Sequence, residues 1–147
     1  MTVTRCARPR TSAQSARGRT DVLDVELVGD TPPALTSAEI TRLAATAAAS
    51  AGVSDGHLAI EFVDAATIAT LNRTHRNHDG PTDVLSFPID GADPAPGPRE
   101  LGDVVICPER TRDLREAVVH GVLHLVGMDH ETDDGEMLAL QAELLRR

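Results

Sequence analysis

From Val22 to Val28 apolar and acidic positions alternate with the period of a half-buried strand. Gly29 to Pro33 then makes a turn. Thr36, followed three residues later by Glu39, reads as a capping box, and Ile40, Leu43, Ala44 and Ala47 place one apolar face on the helix that follows, which Gly52 stops. Leu58 to Val63 is a second strand, with Leu58, Ile60 and Phe62 on one face and Ala59, Glu61 and Val63 on the other. Asp64 caps a second helix carrying Ile68, Leu71, Arg73 and Arg76, and Asn77 to Gly80 is a polar turn.

The second half brings two strands in succession. Val84 to Ile89 is short, apolar and interrupted by Pro88, which suits a sheet edge. Residues 91 to 100 carry no packing signal and read as a loop with some mobility, and Asp103 to Cys107 is the last strand. Leu114, Ala117, Val118, Gly121, Val122 and Leu125 recur at helical spacing, with Pro108 suited to a first turn. After a turn at Gly127, Asp133 or a neighbour caps a final helix with Met137, Leu138, Leu140 and Leu144 apolar. This order predicts an α+β fold, a mixed four-stranded sheet packed with about four helices.

The candidate chemistry sits on the long third helix and the turn after it. His120 and His124 are four apart, so on a helix they stand on one face and can grip one ion. Gly127 permits the left-handed turn that ends a helix and swings His130 back towards them. Three protein ligands leave a fourth position for water, the pattern of catalytic zinc sites. The spacing is that of the long zinc-peptidase signature, yet Gly121 stands where the general-base glutamate belongs. The metal cradle is kept and the proteolytic base is absent.

Residues His120 to Glu131, together with Leu71 to Arg76, Pro81 to Pro88 and Leu101 to Pro108, resemble the YbeY-type endoribonucleases over about residues 21 to 147. The resemblance implies a zinc-dependent ribonuclease acting on single strands in ribosomal RNA maturation and ribosome quality control. It implies one Zn²⁺ per chain on His120, His124 and His130, and partners in single-stranded ribosomal RNA and the small ribosomal subunit with its proteins. By residue type Arg76 is a surface arginine paired with a carboxylate. The resemblance instead makes it the catalytic arginine, whose planar fork suits a phosphate oxygen. Fewer residues separate Cys107 from His120 than members of that family carry, so the metal helix is expected to begin almost directly from Pro108.

Composition narrows the picture further. The chain has 147 residues, enough for one domain with a proper core, and 21–147 is expected to be that domain. Residues 1–20 hold five Arg and no acid, and are expected to form a disordered tail; a transit-like segment, an upstream start or an RNA-holding arm are the other readings. All 14 basic residues are Arg, so residues 21–147 carry 9 Arg against 23 acids, a formal charge of -14. Such a surface counts against a general RNA binder, and RNA contact must be local or assisted by a partner; no DNA is expected. With two Phe and no Trp or Tyr, stacking of bases on a row of aromatic rings is nearly excluded.

The remaining polar residues have plain readings. Two cysteines fit a reducing cytoplasm, with Cys107 a buried strand-end thiol, and no stretch is apolar enough to span a bilayer. His75 and His78 read as solvated. Arg110, Arg112 and Arg115 read as a solvated helix face or a local basic patch. Thr82 to Phe87 is expected to border the cleft, and Asp129 and Glu131 to orient imidazoles or to be surface charge. The rival functions are a zinc peptidase, which Gly121 disfavours, and a non-catalytic zinc-containing assembly factor, whose metal would be closed by a fourth ligand such as Cys107 or Asp129.

Overall fold

The computed structural model describes residues 23–93, 99–130 and 132–146. The N-terminal 1–20 segment, Glu131 and part of the 91–100 loop lie outside the described residues, and with them the expectations placed there. The elements run β1 (Leu23–Val28), α1 (Ser37–Ser50), β2 (Gly56–Phe62), α2 (Ala65–Arg76), β3 (Val84–Pro88), β4 (Glu100–Ile106), a 3₁₀ turn (Pro108–Arg110), α3 (Leu114–Leu125) and α4 (Glu136–Leu145). Four helices on a mixed four-stranded sheet make the α+β architecture read from the sequence.

The caps are those the side chains dictate. Thr36 accepts from the Glu39 amide at 3.1 Å, and Asp64 from the Thr67 amide at 2.8 Å, each answering an orphan donor of a first turn. The strands lie in the order β1-β2-β4-β3, with β1–β2 and β2–β4 parallel and β3–β4 antiparallel. β3 is therefore an edge strand, where Pro88 costs no ladder bond in the interior of the sheet.

Alternation along the strands splits the core in two. Leu58, Ile60, Val104 and Ile106 join α1 and α3 in the larger cluster, while Leu85, Phe87, Val105 and Cys107 join Ile68 of α2 in a smaller one. α3 packs on α1, α4, β3 and β4, so it is the most enclosed helix of the fold. His57 fastens the strands at their start: its Nδ1 lies 2.9 Å from Glu100 on β4 and its Nε2 3.1 Å from Glu26 on β1.

Two expectations are corrected. Pro108 does not open the metal helix. It opens a separate 3₁₀ turn, because Asp113 captures the Arg115 and Glu116 amides and starts α3 at Leu114. In α4 the buried face is Met137, Gln141 and Leu144, while Leu138 is 47% exposed. Asp133 sits outside the helix yet accepts from the Met137 amide at 3.0 Å.

Candidate metal centre

α3 presses so closely on the sheet that one position on it admits no side chain. A Cβ at Gly121 would fall far inside contact distance of Val104 Cγ1 and 3.1 Å from Val84 Cγ2. Ser86 completes the approach, its hydroxyl donating to the Gly121 carbonyl at 2.8 Å. Residue 121 thus faces the packed sheet, and a glutamate there would be buried among valines rather than aimed at a metal. The missing peptidase base has a packing cause.

The end of α3 is built just as tightly. The Gly127 amide bonds to the His124 carbonyl and the Met128 amide to the Leu123 carbonyl, the paired bonds of a Schellman turn, with Gly127 at φ 106°. This reversal returns His130 to the helix face. Donor atoms of His120, His124 and His130 all lie within 4.8 Å of one another, and the ring centroids are 4.7 to 5.2 Å apart.

The hydrogen bonds decide which nitrogen each ring can offer. His124 Nδ1 donates to the Met128 carbonyl at 2.9 Å, so its Nε2 keeps the lone pair; that atom is buried and without a partner. His120 Nδ1 donates to Gln141 Oε1 at 2.8 Å and likewise leaves Nε2 as the lone-pair donor. His130 Nδ1 is a further buried nitrogen without a partner. Buried polar atoms are ordinarily satisfied, so orphaned nitrogens on converging rings are what a site built for a cation shows. Burial pushes His120 below the usual histidine range and His124 down to about 4, which keeps these rings unprotonated and able to ligate. The donor set fits a nitrogen-binding transition metal such as zinc.

A groove of about 510 Å³ opens beside His120. Asp83 borders it, whereas Val84 to Phe87 are buried, so of the wall expected over Thr82 to Phe87 only Asp83 lines the groove. Arg110 and Arg112 line it as well, from the connection rather than from a helix face. Cys107 is fully buried in the cluster with Ile68 and Phe87, and neither it nor Asp129 belongs to the histidine group. Arg76 ends α2, is half-buried, and is not among the residues bordering the groove. His75 is half-buried, its ring edge-on to Phe87 at 5.2 Å.

Gln141 was missed by sequence reasoning, although its signal was there. It is a polar residue on the buried stripe of α4 between Met137 and Leu144. The Met128 carbonyl gave no signal, since only the folded turn aims it at His124.

An enclosed helix and the turn after it bringing three imidazoles to one point, on a sheet that leaves no room for a general-base carboxylate, define a metal-binding α+β fold without the peptidase base. The family model described as endoribonuclease YbeY matches residues 33–147, and the chain belongs to that family. It is 42% identical to the endoribonuclease YbeY of Corynebacterium efficiens, over 62% of this chain and 56% of that protein. It is also 42% identical to that of Nocardia farcinica, over 60% and 59%. The chain therefore spans less than two thirds of the length of either relative. The solution structure of TM1509 from Thermotoga maritima is similar with a TM-score of 0.51 and 26% identity, covering 83% of this chain and 87% of that one.

Proposed function

We propose that residues 21–147 act as one zinc-dependent endoribonuclease unit on single-stranded ribosomal RNA in the cytoplasm, in maturation and quality control of the small ribosomal subunit. The observation that carries this reading is the convergence of His120, His124 and His130, with Gln141 and Met128 holding the Nδ1–H of the first two. The names of the relatives, which are endoribonucleases, support the substrate class.

When bound, Zn²⁺ supplies Lewis acidity towards a phosphoryl oxygen and acidifies water at its open position. The residues of the chain do the rest. Gln141 and the Met128 carbonyl hold the rings of His120 and His124 in one tautomer and orientation. Arg76 steadies charge on the phosphate, and what supports this is its lack, among the described residues, of any ion pair that would occupy its fork. It also stands at the head of the loop that leads to Asp83 in the groove. The attacking oxygen is water or the RNA 2′-hydroxyl, and a 2′,3′-cyclic phosphate product identifies the latter.

The test compares the wild-type chain with His124→Ala and Arg76→Ala on a labelled single-stranded ribosomal RNA fragment, with bound metal measured in each. One zinc per chain, cleavage lost in both variants, and metal retained in Arg76→Ala is the expected result. Bound zinc without metal-dependent cleavage, alone or with ribosomal subunits, would replace the nuclease with a zinc-containing assembly factor.

A further inference from the structure

We propose that Arg110 and Arg112 hold two neighbouring backbone phosphates of the strand lying in the groove beside His120, so that the chain grips RNA by its phosphates and is indifferent to its bases. This rests on the proposed nuclease function and adds the means of holding the substrate.

The argument begins with the short link between β4 and α3. The Arg110 amide bonds to the Cys107 carbonyl and the Thr111 amide to the Pro108 carbonyl, each at 3.1 Å. The Thr111 hydroxyl donates to the Cys107 carbonyl at 2.6 Å. These bonds tie the backbone of Arg110 and of Thr111, the neighbour of Arg112, to the buried end of a core strand. Both side chains are exposed, and both line the groove that His120 borders. Thr111 between them is extended, at φ -110° and ψ 125°. Cα atoms flanking one extended residue lie roughly 6.6 Å apart, comparable to the step between successive phosphates of a stretched single strand, and both arginines line the same groove.

Neither arginine spends its charge on a neighbour in the described structure. Residues 21–147 carry 23 acids against 9 Arg, yet among the described residues neither Arg110 nor Arg112 makes an ion pair. Two carboxylates of the groove are already engaged with the backbone: Asp83 accepts from the Val84 amide at 2.9 Å and Asp113 from the Arg115 amide at 3.0 Å. Glu116 is the exposed acid that remains on its wall. Asp83, Asp113 and Glu116 share the groove with the two guanidinium forks, so an anion is met at the forks themselves and not drawn in by the groove as a whole.

Recognition through bases has little to work with. The chain has no Trp or Tyr, and its two phenylalanines are 8% and 3% exposed, at Phe62 and Phe87. Neither ring is available for base stacking, which favours a grip on the sugar-phosphate chain.

The experiment measures binding of the full zinc-loaded chain to labelled 2′-O-methyl oligouridylate and oligoadenylate ten-mers across salt, beside cleavage of the unmodified strands. In Arg110→Gln/Arg112→Gln the slope of log affinity against log salt is expected to fall by about 1.4, at about 0.7 per phosphate. Between about 50 and 200 mM salt the wild type then loses about sevenfold more affinity than the variant. KM rises with kcat kept, and Arg42→Ala on α1 changes neither. An unchanged slope in the double variant, no binding by the wild type, or a preference above about tenfold for one base would overturn the proposal. The two readings part cleanly. Salt-dependent binding through these arginines without cleavage removes the nuclease and leaves the phosphate grip, whereas cleavage with an unaltered slope does the reverse.

Discussion

Gly121→Ala tests whether the approach of α3 to the sheet, and not a catalytic need, sets residue 121. The new Cβ would overlap Val104 Cγ1 and press Val84 Cγ2 at 3.1 Å, and both valines are buried in the core, so neither can swing into solvent. Overpacking of this kind costs about 1–3 kcal/mol. Alanine returns about 1 kcal/mol through its better helix propensity. The net expectation is a loss of about 1 kcal/mol, with an upper end near 2 kcal/mol. Val104→Ala alone removes two buried methyls and should cost about 2–3 kcal/mol. Combined with Gly121→Ala, it opens the space the new methyl needs, so the double variant should be about 1–2 kcal/mol more stable than additivity predicts. Urea unfolding of the four metal-free proteins measures all three values. A Gly121→Ala protein more stable than wild type, or strict additivity with Val104→Ala, would refute the packing argument.

Two further outcomes are expected. In the metal-free protein His124 titrates at about 4 when folded and near 6.5 when unfolded, so above pH 6.5 it is neutral in both states. As pH falls from 6.5 towards 4 the unfolded chain takes up the proton first, and stability should drop by about 3 kcal/mol in total, with His120 acting in the same direction. Thermal unfolding that is flat over this window would contradict the burial of His124. Gln141→Leu removes the acceptor of His120 Nδ1 and should weaken zinc binding about 10- to 100-fold with the fold intact, read by chelator competition. Unchanged affinity would mean that Gln141 merely packs.

The elements were legible because local chemistry decides them. Thr36 and Asp64 cap the helices they precede, Pro88 marks an edge strand, and Gly127 ends α3 with a positive φ. Asp113 followed by Glu116 also carried a start signal for α3, which the proline at 108 masked. Arg110 and Arg112 were read as a solvated helix face or a local basic patch, and the 3₁₀ turn and the link after it place both on the groove. The half-burial of His75 had no local signal, because Phe87 against which it packs lies on another element.

The residues of this chain determined by themselves its helices and strands, the spacing that puts His120 and His124 on one face, and the turn able to return His130. Periodicity, caps and glycine act within a few positions, and a single chain reports them directly. Only the tertiary structure decided that β4 lies between β2 and β3, that Gly121 is closed off by Val104 and Val84, and that Gln141 and Met128 select the ligating nitrogens. Those contacts join elements far apart in sequence, and their energies exist only once the sheet and α3 have packed.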